Sequence, residues 1–396
     1  MTDPPRPRVV LLTERWDEGD AEPEEAVRRV AGALARSADV DIVTTQGTVP
    51  RHCFDGVFPL HELASAPPAP VRIRRRLLLD ALTGPSALGQ GPDGRSCPPQ
   101  ATEWLDAVDR AAWAPARALI AGLRPDLLVV TGAVHGGLPD LLDEAAPGVP
   151  VVVLPLAPDA PTLALPPARD LLDSADGILV LTEAEHRDVM TGFGPGPHPP
   201  VHTVGLALAT NPAVWREPMT ALSGQDYVLV LCDSDPDAPV APFEAAVDLL
   251  ASALPDNSVA AVFTDRLDIW RRGELESLPP PVKLTDRCRL MAWARSTVDL
   301  APGRLWARQS ARSLLYATPI VVPDHSRARE HAELGNGGLW YRGMDEMVGA
   351  VRALLDPDVR ESLGTQGRAY AEERFGSSDR FVARLGAALP QLTPAG

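Results

Sequence analysis

Short apolar runs alternate along this chain with longer stretches in which apolar residues return every three or four positions. That is the pattern of buried parallel strands joined by amphipathic crossover helices. Residues 9–13 read as a first strand, and 24–36 as a helix with Val27, Val30, Ala31 and Leu34 on one face. Strands follow at 40–44, 127–131, 151–154 and 177–181, with helices over 101–123, 138–144, 168–174 and 183–190. Between them, 51–100 is rich in Pro and Gly and reads as irregular. The alternation then starts afresh, with strands at 227–232, 260–264, 298–301 and 320–323 and helices over 242–253, 287–296, 308–317 and 344–355. A final amphipathic stretch covers 380–389.

Two tandem doubly wound halves are therefore expected, each an α/β domain with a Rossmann-like parallel sheet. The ligand site belongs at the carboxyl ends of the strands, in a cleft that the domains face. The expected division is 1–215, 216–375, and a crossover helix and tail over 376–396. A length of 396 residues suits two domains better than one core.

Composition narrows the function more than the fold. A formal charge of −16 repels a phosphate backbone, and no basic stripe offsets it, so nucleic acid is excluded as a partner. Lys283 is the only lysine, an arginine bias that reflects a GC-rich genome. The 42 prolines gather in connectors such as 66–70, 195–200 and 279–281, where a fixed φ and a missing donor do no harm. Cys53, Cys97, Cys232 and Cys288 are widely spaced with no C-x-x-C pair and no secretory signal, which suggests reduced thiols in a cytoplasmic protein. No apolar run approaches the ~20 residues of a membrane span. Neither a metal nor a cofactor is expected.

The ordered motifs carry a resemblance. Gly19-Asp20-Ala21-Glu22, leading into a helix, resembles the first glycine-rich loop of the family-four retaining glycosyltransferases, which have the GT-B fold. Pro125-Asp126-Leu127-Leu128 with His135-Gly136, and Ser174-Ala175-Asp176-Gly177-Ile178 through Thr182, resemble later segments of the first domain in that family. Tyr316-Ala317-Thr318-Pro319-Ile320-Val321-Val322 stands where the family has its "CGTPVV" turn, and 354–375 resembles its closing helices. The resemblance implies a GT-B protein, a sugar nucleotide as possible substrate, and a chain end that crosses back onto the first domain.

The same alignment shows what is missing. Where active members carry an Arg and then a Lys to neutralise the donor diphosphate, this chain has Asp233 and Ala238. Where they carry two glutamates for the donor sugar and ribose, it has Arg304 and Arg312, and no Glu occurs between Glu276 and Glu330. The position of a catalytic histidine reads Pro155-Leu156-Ala157. A carboxylate beside two phosphates is strongly unfavourable.

His135 is the one candidate catalytic residue left, and it is either an acceptor contact or a turn residue. Gly19 and Asp20 form either a surviving ligand loop or an ordinary strand-to-helix turn. The candidate ligand set is Gly19, Asp20, His135, Asp233, Arg304, Arg312 and Thr318. The stretch 71–82 combines Arg72, Arg74, Arg75 and Arg76 with Leu77, Leu78, Leu79 and Leu82, a pattern for peripheral contact with an anionic membrane, for a phosphorylated acceptor, or for a solvated helix.

Three functions remain open. The first is a weakly active or non-catalytic partner of an active glycosyltransferase homologue. The second is an active retaining enzyme with an arginine-based donor site, using a sugar-bearing small molecule or lipid as acceptor. The third is a glycan or small-molecule binding module. Loss of the Arg, the Lys, both Glu and the His favours the first. It also predicts a reversed ion pair, Asp233 with Arg304 or Arg312, across the donor pocket.

Overall fold

A computed structural model describes residues 5–13, 22–45, 51–55, 58–63, 107, 109–132, 137–156, 163, 165–193, 196–208, 214, 218–232, 241–254, 258–263, 266–271, 274–279, 284–300 and 307–389. The chain divides into two compact units, the first made of Met1–Leu206 with Asp379–Gly396 and the second of Ala207–Ser378.

Unit 1 holds an eight-stranded sheet. Its strands are β1 (Arg8–Thr13), β2 (Asp39–Thr44), β3 (Arg51–Asp55), β4 (Phe58–Glu62), β5 (Leu127–Thr131), β6 (Val151–Leu154), β7 (Gly177–Val180) and β8 (Val201–Thr203), in the order β3-β4-β2-β1-β5-β6-β7-β8. All neighbours are parallel except β3 and β4. Both faces are covered, which is why β5 is an unbroken buried run, LLVVT. Among the helices, α1 (Glu22–Leu34) buries Ala26, Val27, Val30, Ala31 and Leu34 at helical spacing. It is followed by α2 (Ala116–Leu123), α3 (Leu138–Ala145), α4 (Pro166–Asp173) and α5 (Glu183–Phe193).

Two expectations for this unit need correction. Residues 51–55 and 58–62 are not irregular but form the antiparallel pair β3–β4 at the sheet edge. A glycine at the first of the two positions between Asp55 and Phe58 is the available hairpin signal. The helix expected over 101–123 is interrupted in its described part. Positions 109–113 and 116–123 are helical, with a turn at 114–115 where Pro115 stands at the start of α2.

Unit 2 repeats the plan. Its strands are β9 (Tyr227–Leu231), β10 (Ser258–Val262), β11 (Leu267–Arg271), β12 (Glu274–Leu278), β13 (Ser296–Asp299), β14 (Ile320–Pro323) and β15 (Gly338–Tyr341), ordered β12-β11-β10-β9-β13-β14-β15. The five strands from β10 to β15 through β9, β13 and β14 are parallel, and β11–β12 is an antiparallel addition. The helices are α6 (Ala241–Ala253), α7 (Leu284–Trp293), α8 (Arg308–Leu315), α9 (Ala328–Leu334), α10 (Met344–Ala353) and α11 (Pro357–Arg374). The last helix, α12 (Ser378–Ala388), belongs with unit 1, where Arg384 donates to the Val204 carbonyl at 2.7 Å and Arg36 meets Asp379 at 2.7 Å.

The start of α11 is fixed by its N-cap, because the Asp356 carboxylate accepts from the amides of Asp358 and Val359 and Pro357 follows it. Two glycines then let the helix approach the chain ahead of β14 and of β15. A Cβ on Gly364 would sit 2.3 Å from the Ala317 carbonyl oxygen, and one on Gly367 would sit 2.7 Å from the Gly337 Cα and from Leu314 Cδ2. No larger residue fits either place.

Candidate functional site

In a doubly wound sheet the strand order reverses at one point, and loops diverge there to leave room for a ligand. In unit 2 that point lies between β9 and β13. The strand ends are Leu231 and Cys232 on one side and Asp299 and Leu300 on the other, all buried. The loops that follow, 233–240 and 301–306, fall outside the described residues, and with them Asp233 and Arg304. What is described is α8, which enters directly after the second loop.

Every residue of α8 is buried, although its sequence is RQSARSLL. Its two serines are held by strand β13. Ser310 Oγ donates to Asp299 Oδ2 at 2.8 Å, and Ser313 Oγ shares a hydrogen bond with Thr297 Oγ1 at 2.6 Å. Serines three apart on a helix meet residues two apart on a strand, so the two periodicities coincide along one seam. Arg308 and Arg312, four apart, are only 4% and 1% exposed. The helix is bracketed by left-handed backbone, with Ala307 at φ 51 as its N-cap and Ala317 at φ 58 just beyond its end. Strain of this kind at non-glycine residues costs on the order of 1–2 kcal/mol each.

Of the sequence candidates, Arg312 therefore sits on the helix at the switch point. Thr318 lies in the following turn at 3% exposure, where its hydroxyl donates to the Met291 carbonyl at 2.7 Å and so ties the turn to α7. Gly19, Asp20 and His135 lie outside the described residues, as does the Arg72–Leu82 segment. The reversed ion pair expected of Asp233 involves a residue outside them too.

Sequence reading missed Arg308, Gln309, Ser310 and Asp299. The spacing of Arg308 to Arg312 was the available signal for the first. Gln309 is 2% exposed and lines a small hollow with Leu229, Leu231, Val262, Leu290, Met291 and Arg287. Its Oε1 meets no hydrogen-bond partner among the described residues. On the sheet's other face, burial pushes the Tyr341 phenol above its ordinary range, and the Asp299 carboxylate and Cys232 thiol add to the shift.

The equivalent point in unit 1 lies between β1 and β5. Thr13 and Thr131 end those strands, and Thr131 Oγ1 donates to the Leu12 carbonyl at 3.2 Å. After β6, in the stretch where a catalytic histidine was sought, Leu156 takes a left-handed φ of 49 and is buried. Gly137, at φ 65, starts α3, and a Cβ there would lie 2.4 Å from Arg110 Cγ. Among the described residues, no group of three His, Cys, Asp or Glu is arranged to hold a metal, and no helix is long and apolar enough to cross a membrane.

No family model matches the chain, and no curated protein sequence does. Solved structures match over nearly its full length. An α,α-trehalose-phosphate synthase (UDP-forming) from Burkholderia vietnamiensis aligns with a TM-score of 0.69 at 14% identity, covering 97% of this chain and 99% of that one. The synthase from Burkholderia xenovorans, in complex with glucose-6-phosphate, gives 0.68 at 13% identity, with 97% and 100% covered. Sucrose-phosphate synthase from Thermosynechococcus elongatus gives 0.65 at 14%, with 98% and 99% covered. The chain thus has the GT-B fold of glycosyltransferases. At these identities the likeness is one of fold.

Proposed function

We propose that this chain is a glycosyltransferase-like protein that no longer handles a sugar nucleotide in the usual way, and that it works as a weakly active or non-catalytic partner of an active glycosyltransferase. The observation that carries the reading is Arg312. A guanidinium, 1% exposed, occupies the helix position for which the resemblance calls for a donor-binding glutamate. A carboxylate there accepts hydrogen bonds from hydroxyls, whereas a guanidinium only donates. The residue cannot perform the glutamate's task in reverse. Asp233 in place of an arginine points the same way, since it brings negative charge to the position that should neutralise a diphosphate.

Titration calorimetry tests this. The structural neighbours act as UDP-forming and sugar-phosphate synthases, so the panel should contain UDP-glucose, GDP-sugars and glucose-6-phosphate. All should bind more weakly than about 1 mM, or less than about 4 kcal/mol of binding free energy. Micromolar affinity for any nucleotide sugar contradicts the reading.

One observation favours a second reading. Arg308 and Arg312 share a face of α8, and paired guanidinium forks suit phosphate. A retaining transferase with an arginine-based donor site, built on Arg304, Arg308 and Arg312, would bind a nucleotide sugar at micromolar strength and lose that affinity in Arg312→Ala.

A further inference from the structure

Both sheets must end somewhere, and the two edges of the second one end differently. At one edge, β15 pairs with β14, and the Trp340 ring is overlaid by the guanidinium groups of Arg329 at 4.5 Å and Arg342 at 5.3 Å. At the other, β12 pairs with β11 alone among the described residues, through five consecutive residue pairs with no bulge. Glu274, Leu275, Glu276 and Ser277 are all exposed, and only Leu278 at the strand's end is half-buried against the core. Its outer row of amides and carbonyls has no ladder partner among the described residues.

Proteins commonly blunt such an edge with a proline, a bulge, a lysine or a helix. None of these devices lies within β12. Instead the strand presents two unlike faces. Leu275, 55% exposed, stands opposite Trp270 and forms an apolar ledge. On the other face Glu274 and Glu276 lie opposite Arg271 and Ile269, and Arg271 Nη1 bonds Glu276 Oε2 at 2.7 Å. That guanidinium pairs with Glu276, and the second carboxylate, Glu274, leaves this stretch with net negative charge.

We propose that β12 receives an added strand from a partner polypeptide in which basic and apolar residues alternate. The backbone ladder would supply the affinity and the alternation the choice of partner. Apolar side chains would meet Leu275 and Trp270, while lysines or arginines would meet Glu274 and Glu276. A second copy of this chain is a poor occupant, because two-fold pairing sets the same glutamates against each other. The sequence also limits the contact, since Pro279, Pro280 and Pro281 follow the strand directly. Such docking is compatible with either reading of the donor site, and sugar-nucleotide titrations leave it untouched.

A fluorescein-labelled peptide of alternating Lys and Val, titrated with the full chain at low ionic strength, tests the idea by anisotropy. Controls are a scrambled peptide of equal composition and an alternating Glu–Val peptide. The alternating Lys–Val peptide should bind at least about tenfold more tightly than both controls. That advantage should disappear in Glu274→Lys and in Leu275→Ser, two exposed substitutions whose folding is checked by a thermal melt. Several results overturn the proposal: no binding, equal binding of the scrambled peptide, or undiminished binding to both variants. So does a concentration-dependent dimer of the wild-type chain that either substitution abolishes, since the edge would then belong to a second copy.

Discussion

Helices α8 and α11 pack against each other in unit 2, and they are opposites. The shorter is polar in sequence and wholly buried, while the longer runs eighteen residues and buries only Gly364, Gly367 and Ala371. Hydropathy does not separate them, since both are polar in sequence. What decides the matter is what each helix meets. Strand β13 offers α8 a hydroxyl and a carboxylate in register with its serines, so those two hydroxyls are matched as they leave water. By contrast α11 offers almost no side chain inward and contributes bare backbone, which brings it close to the Ala317 turn and to Gly337. The region beside the switch point is thus held by polar pairing on one helix and by missing side chains on the other.

The largest effect should come from filling the gap. Gly364→Ala and Gly367→Ala each force a Cβ into backbone or Leu314, and each should lower stability by about 3 kcal/mol in urea unfolding. A change below the error of the extrapolation would mean that α11 can shift outward, and the contrast would be weaker than drawn. A smaller loss is expected on the polar side. Ser310→Ala removes one donor from the buried Asp299 carboxylate and should cost about 2 kcal/mol. A double-mutant cycle of Thr297→Val with Ser313→Ala should give a coupling of about 1 kcal/mol. Additive losses there would show that the seam is a coincidence of packing. The smallest effect belongs to the exposed face of α11. Glu372→Gln breaks the 2.7 Å pair with Arg368, both about half exposed, and should change stability by less than about 0.5 kcal/mol.

The strands legible in the sequence were those with both faces covered, because only there does burial produce an unbroken apolar run. The hairpin β11–β12 was missed for the converse reason. Its first strand carries a buried Asp268, tied to Arg266 at 2.7 Å and to Ser277 at 2.6 Å, and its second is exposed from Glu274 to Ser277, so neither shows a clear apolar run. In α9, seven residues long, the buried Glu330 and His331 hide the helix in the same way. Strand β15 was too short to stand out beside them. For the site, counting from the Thr318-Pro319 turn located Arg312, but nothing in a linear pattern marks an arginine as buried. Arg308 and Asp299 went unnoticed because their burial depends on a strand and a helix meeting, which is a tertiary fact.

Ala317 adds a point about descent. It stands at the glycine of the turn that the family resemblance supplies, and it holds the left-handed backbone that glycine adopts freely. Alanine and glycine codons differ by a single nucleotide, so relief of that strain lies one mutation away. A strained residue beside so accessible a remedy is one that a protein can carry while its stability lies above the threshold for function. Drift, in such a protein, can reach residues that a chain nearer its limit would have to keep.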